Sequence, residues 1–301
     1  MKITHCRNCN KKKLKKLFSL GNLYFTGKFE KENNKIKRSK IDLNICNKCK
    51  LVQLGHKYNL KYMYGPDYGY RTGINYTMSN HVKNITKYIS KRAELKRGDI
   101  VIDIASNDGT LLNYSTKVLI KIFNKNKFRL ITINKNNING SSKQYLLSKN
   151  TSNFKAENKK INKILREESK LKLEDEKTYK KFYRKIIYIK SNLNKFINKQ
   201  IKKNKVIHGY GASTKGNTLL QFFNIGKKHI SYIADRNPDK FGLKTPGTKI
   251  DIISEMESRS MLPDFYLVLP WHFQKEIVKR ESNLMKKGTK LIFPLPKIKI
   301  I

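Results

Sequence analysis

The chain has 301 residues and a formal net charge of +44, with 66 lysines and arginines against 22 acidic residues. That length leaves room for two or three domains of ordinary size, and no run of 18 apolar residues is present to cross a bilayer. Arginine, the side chain suited to bidentate recognition of phosphate and guanine, makes up only eleven of the basic residues. The charge is spread along the chain, so it predicts neither a specific nucleic-acid partner nor a membrane partner.

In chain order, the first signal is cysteine. Cys6 and Cys9 form one Cys-x-x-Cys pair, Cys46 and Cys49 another, and these four are the whole cysteine complement. Two such pairs put four thiolates on two tight turns, the closed tetrahedral sulfur shell of a structural zinc site. A disulfide reading fits less well, because the sequence runs from Met1-Lys2-Ile3-Thr4-His5 straight into the first pair without an apolar signal segment. The expectation is a cytoplasmic chain whose residues 1–60 fold around a metal. Ile41 to Ile45 alternates as a strand into the second turn and Leu51 to Leu54 leaves it as another. Tyr62, Tyr64, Tyr68, Tyr70 and Tyr76 then suggest aromatic packing at a junction before a helix that starts near Met78.

Asp99 to Ile104 reads as a buried strand that meets a polar glycine turn, Ala105-Ser106-Asn107-Asp108-Gly109-Thr110, and a helix start. Parallel α/β sheets bind nucleotides at such turns. Lys121 to Asn139, rich in Lys, Asn and Ile, reads as solvated surface. From Ala156 to Lys203, apolar residues at helical spacing (Ile161/Ile164/Leu165, Phe182/Ile186/Ile189) predict two exposed helices serving as a connector. A second α/β lobe begins with the strand Val206-Ile207-His208 and the turn Gly209-Tyr210-Gly211-Ala212-Ser213-Thr214-Lys215-Gly216-Asn217-Thr218, followed by strands near 230–234, 265–269 and 291–293. Asn217 stands where a triphosphate-binding loop would carry lysine, which disfavours nucleoside triphosphate hydrolysis. Against the dinucleotide fingerprint Gly209 and Gly211 fit, Gly216 comes late, and Asp235 ends the next strand where it could hold a ribose hydroxyl. The turn therefore reads as a diphosphate cradle using backbone amides and Lys215, or as a glycine turn needed only for close helix–sheet packing.

Taken together, Cys6-x-x-Cys9 with Leu20-Gly21, Cys46 to Leu54, Tyr64 to Gly73, Asp103 to Leu112, Gly209 to Thr218, Asp235-Arg236-Asn237-Pro238, Thr245 to Thr248, Pro263-Asp264, Trp271-His272-Phe273 and Phe293 to Pro296 resemble the three-part S-adenosylmethionine-dependent sugar C-methyltransferases. The resemblance implies an α/β architecture divided as a zinc-binding module (1–60), a methyltransferase segment (61–155), a helical connector (156–205) and a C-terminal Rossmann-like lobe (206–301). It implies structural zinc, S-adenosylmethionine as cofactor and a nucleotide-diphosphate-linked keto-sugar as partner. By position it gives Tyr68, Tyr70, Asp103, Ser106, Asn107, Asp108 and Gly109 to the cofactor. It gives Tyr210, Ser213, Lys215, Asn217, Asp235 and Arg236 to the nucleotide sugar.

One departure counts against activity. Only 31 residues separate Asp108 from Gly140, whereas Asn139-Gly140-Ser141-Ser142 resembles a segment near the end of the family's methyltransferase domain. One βαβ unit alone takes about 30 residues, so the remaining strands of a doubly wound sheet have no room. The acidic strand end for the cofactor ribose and the histidine-containing segment resembling the family's base go with them. The expectation is a truncated methyltransferase domain that binds the cofactor weakly or not at all. The rival is a non-enzymatic nucleotide-sugar-binding remnant with a structural zinc site. A third reading, zinc-dependent nucleic-acid binding, rests on charge alone.

Overall fold

A computed structural model of the chain describes residues 1–32, 36–59, 76–93, 116–136 and 142–301. The chain divides into two compact units, one of Met1–Tyr70 with Lys172–Ile301 and one of Arg71–Leu171. At the start of the first unit, β1 (Leu14–Tyr24), β2 (Arg38–Cys46) and β3 (Val52–Leu54) pair antiparallel in the order β1-β2-β3. Ile3, Leu17, Ile45, Cys46 and Leu51 are buried here, a core of few side chains, as expected of a fold that relies on metal.

The Arg71–Leu171 unit contains α1 (Tyr76–Ala93), α2 (Thr116–Lys125), the antiparallel ladder β4 (Phe128–Asn136) and β5 (Ser142–Lys149), and α3 (Asn158–Lys170). Leu130 and Ile133 of β4 pack against Ile161 and Ile164 of α3. The Glu168 carboxylate on α3 accepts both the backbone N–H and the hydroxyl of Thr116, each at 2.6 Å, and so caps the start of α2. The reading of Lys121 to Asn139 as solvated surface is corrected, because Leu130, Ile131, Thr132 and Ile133 are all buried on β4. Four neighbouring buried residues outweigh the lysine-rich sequence around them. The strand expected near 99–104, its turn, and Tyr62 to Tyr70 lie outside the described residues. Tyr76, the junction tyrosine that is described, opens α1 and is exposed.

The first unit resumes with α4 (Glu176–Ile201), whose N-cap Asp175 accepts the Lys177 N–H at 2.8 Å. There follow β6 (Ile207–Tyr210), α5 (Thr214–Phe223), β7 (Tyr232–Asp235), β8 (Asp251–Ser254), α6 (Glu255–Ser260), β9 (Phe265–Val268), α7 (Gln274–Arg280), α8 (Ser282–Lys286), β10 (Lys290–Phe293) and β11 (Lys299–Ile300). The sheet runs β11-β10-β9-β6-β7-β8, parallel throughout except for β11. Counted from β6, this is the 3-2-1-4-5-6 order of the doubly wound nucleotide-binding fold, with its switch point between β6 and β9. Side chains alternate between two cores. Ile207, Ile233, Phe265, Leu267 and Ile292 face Ile189, Leu193 and Ile197 of α4 and Leu219, Leu220 and Phe223 of α5. Tyr210, Ala234, Tyr266, Val268 and Leu291 face Ile277 of α7 and Leu284 of α8. The α/β class, with a small cysteine module and a Rossmann-like C-terminal lobe, is as the sequence predicts. Among the described residues no helix is long and apolar enough to cross a membrane.

Candidate functional site

The four cysteines meet. Their sulfur atoms all lie within 4.8 Å of one another, with Cys6 Sγ 3.5 Å from Cys49 Sγ and Cys9 Sγ 3.6 Å from Cys46 Sγ. A tetrahedral zinc with sulfur ligands at about 2.3 Å holds its sulfurs about 3.8 Å apart, so the donor set fits that ion. Both turns are built alike. After each pair a residue adopts positive φ, Asn10 at 54° and Lys50 at 61°, and its N–H returns to the carbonyl of the first cysteine, Asn10 to Cys6 and Lys50 to Cys46, both at 2.9 Å. The Asn8 N–H points at Cys6 Sγ from 3.4 Å, a bond that favours thiolate. Burial pushes the Cys6 thiol up to about 12 and raises Cys49 as well. Burial works against ionisation of Cys9 too, but the Lys11 backbone and hydrogen bonds with the other three thiols bring it down to about 7. Thiols this close cannot all ionise beside one another unless a cation joins them, and a dication supplies that charge.

The second constellation lies at the carboxyl end of β6. Gly211, at φ +81°, turns the chain sharply, and a Cβ there would stand 2.8 Å from Pro270 Cδ. A Cβ on Gly216 would run into Leu269 Cβ, and one on Gly209 into Ile233 Cδ1. All three glycines therefore serve close packing, Gly216 in the helix-to-strand manner of the third fingerprint glycine. Ser213 caps α5, its hydroxyl accepting the Gly216 N–H at 3.0 Å. Asp235 is buried, and its oxygens accept the N–H groups of Ala212 at 2.6 Å and Asn237 at 2.8 Å. Lys240 Nζ lies 3.3 Å from Asp235 Oδ2 and donates to the Ala212 carbonyl at 3.0 Å, so the turn carries a self-neutralised ion pair. Arg236, next in sequence, is exposed, and Lys215 is half-buried on the first turn of α5.

Asn217, on the same turn of α5, differs from its neighbours. Its side chain is fully buried, and neither its amide oxygen nor its amide nitrogen has a hydrogen-bond partner. Asn237, two residues past the end of β7, is buried with its amide nitrogen also unpaired. Such groups are rare in native interiors and call for a water, an ion or a ligand. Neither the role of Asn237 nor that of Lys240 is assigned by the sequence reading. The Asp235-Arg236-Asn237-Pro238 motif contains Asn237 without marking its burial.

Tyr210 behaves otherwise than its place in the turn suggests. The residue is 1% exposed, and its hydroxyl donates to Glu281 at 2.6 Å while accepting from Arg280 Nε at 2.8 Å. Burial would raise the Glu281 carboxyl, but hydrogen bonds from Arg259 and Tyr210 hold it below its ordinary value. Arg259 also reaches Glu255 at 2.7 Å, completing a satisfied interior network. Tyr68, Tyr70, Asp103, Ser106, Asn107, Asp108 and Gly109 lie outside the described residues.

Comparison with known proteins covers the regions that hold the two constellations. Residues 137–296 match the family described as “C-methyltransferase C-terminal domain”, and residues 6–64 match the one described as “Putative zinc binding domain”. The C-methyltransferase NovU of Streptomyces niveus is 29% identical over 123 residues, an alignment covering 41% of this chain and 29% of that protein. The chain thus matches less than a third of that relative's length.

Proposed function

Since the chain belongs to the C-methyltransferase family and carries both that C-terminal domain and a zinc-binding domain, we propose that its C-terminal lobe holds the nucleoside diphosphate of a nucleotide-linked keto-sugar at the β6–α5 turn. The observation that carries this reading is Asn217, wholly buried with both ends of its amide unpaired on the first turn of the helix that opens at the switch point. Lys215, on the same turn, and the exposed Arg236 after β7 are the positive charges this reading assigns to the diphosphate, and Ser213 fixes the helix start. Asp235 and Tyr210, whose polar atoms are engaged internally, shape the turn and leave direct contact to the others. Zinc holds the N-terminal module closed through four thiolates and has no open position for chemistry. In the family reading S-adenosylmethionine supplies the methyl group.

The test is calorimetry of the full zinc-loaded chain with UDP and dTDP. Lys215→Ala is expected to weaken binding about tenfold, as for loss of a charge-assisted contact. Asn217→Leu is expected to weaken binding while leaving the fold equally or more stable, because an unpaired buried amide is replaced by an apolar group of similar size. Unchanged affinity in both variants would refute the reading and leave the turn as a packing device.

A second reading, nucleotide-sugar binding without methyl transfer, has its own support. The interval between Asp108 and Gly140 holds α2 and the single strand β4, whose partner β5 is antiparallel, where a doubly wound sheet would need further parallel strands.

A further inference from the structure

The zinc thiolates and the β6–α5 turn belong to one compact unit, and a single strand runs between them. At one end of β1, Leu14 lies in register with the zinc-ligating Cys46, and the Asn47 N–H reaches the Lys13 carbonyl at 2.8 Å. At the other end, the side-chain amide of Gln221 grips the backbone of Tyr24 on both sides. Gln221 Oε1 accepts the Tyr24 N–H at 2.7 Å and Gln221 Nε2 donates to the Tyr24 carbonyl at 3.3 Å. Gln221 sits on α5, one turn beyond Asn217. Along the way Phe18 stacks on Tyr183 of α4 with centroids 4.9 Å apart, and Lys15 pairs with Glu176 at 2.9 Å.

The segment after β1 continues the contact toward the turn. Phe29 is buried in the core shared with α4 and α5, and Lys240, which bonds the Ala212 carbonyl, lies with Nζ 4.9 Å from the centre of the Phe29 ring. The Lys244 N–H reaches the Glu30 carbonyl at 3.0 Å. The Tyr24 ring occupies the space a side chain at Gly247 would need. Eleven residues of strand span about 33 Å, so β1 is a strut with the metal ligands at its head and the ligand-bearing helix at its foot.

We propose that Gln221 is a positioning residue through which zinc at the four thiolates and a nucleoside diphosphate at the β6–α5 turn each raise the affinity of the other. The proposal rests on the nucleotide reading of that turn. Zinc fixes the register of β1 against Cys46. Through the Tyr24–Gln221 clamp, that register holds α5 at the angle that presents Lys215 and Asn217. Linkage requires the reverse effect in equal measure.

The experiment measures zinc affinity of the full chain by competition with a chelator, with and without saturating UDP or dTDP, in the unmodified chain and in Gln221→Ala. Nucleotide is expected to tighten zinc about fivefold in the unmodified chain and to have no such effect in the variant. The nucleotide's own affinity for zinc cancels between the two chains. Gln221→Glu, which keeps the acceptor for the Tyr24 N–H, is expected to restore part of the effect. Amide exchange in Leu14–Tyr24, followed in the zinc-loaded unmodified chain, is expected to slow on adding nucleotide, and this readout needs no variant. Nucleotide binding with neither tighter zinc nor slower exchange would overturn the coupling alone. Failure of both nucleotides to bind the unmodified chain would overturn the ligand reading, and the coupling with it.

Discussion

His208 gives a pH-dependent consequence at the scale of one residue. It is buried on β6, its Nδ1 is 2.8 Å from Ser258 Oγ, and that hydroxyl is 2.8 Å from the Tyr266 hydroxyl. Burial lowers the imidazole to about 4, against an unfolded value near 6.5. The unfolded chain therefore binds the proton more readily, and stability is fully present above about pH 6.5 and is lost as pH falls toward 4. Stability measured by urea unfolding should drop by about 1.4 kcal/mol per pH unit across that window on account of this residue. His208→Phe should remove that part of the slope while Ser258 and Tyr266 remain paired. An unchanged slope between pH 6.5 and 4.5 would show that the imidazole is not the group that titrates. Little of this is legible in the sequence, where His208 is one apolar-flanked histidine among six. Its partners come from positions 50 and 58 residues further on, brought together only by the parallel order of the sheet.

At the scale of elements, each Cys-x-x-Cys turn is a self-contained unit whose geometry follows from its own four or five residues, which is why all four metal ligands could be read from spacing. Changing Cys46 and Cys49 together to Ser should reduce bound zinc from one per chain to near zero, as read by metal analysis after gel filtration. Retention of one zinc would show that other ligands hold it. Strands β6, β7, β9 and β10 were legible for a related reason, since strands buried on both faces read as short apolar runs. The strand β1 was not. Its pairing with β2 shifts register between Lys16 and Phe18 and again between Ser19 and Asn22, so the bulges break the period of two by which a strand is recognised. Asp251 to Ser254 of β8 was also missed, four residues being too few to show a pattern. In the candidate site, the glycine turn was visible as a motif. The buried state of Asn217 and the pairing of Lys240 with Asp235, Ala212 and Phe29 depend on chain brought from elsewhere.

For the whole molecule, the prediction concerns methyl transfer. The interval between Asp108 and Gly140 is taken up by α2 and the single strand β4, fewer elements than the several parallel strands that complete a crevice at a sheet's switch point, and a ligand site needs a largely preformed concavity. Incubation with methyl-labelled S-adenosylmethionine and nucleotide-linked keto-sugars is expected to leave no label on the sugar. Turnover that disappears in Asp108→Ala would establish the chain as an enzyme and displace the binding-only reading. The Tyr24–Gln221 clamp also sets a timetable for biosynthesis, because its partners are 197 residues apart in the chain. At ribosomal rates of about 5–20 residues per second, the first module waits roughly 10 to 40 s for its docking surface to be made. Until then Phe29 has no core to enter. A nascent chain stalled before α5 would therefore display an apolar residue beside an already metallated knuckle, a form suited to capture by chaperones and prone to premature aggregation.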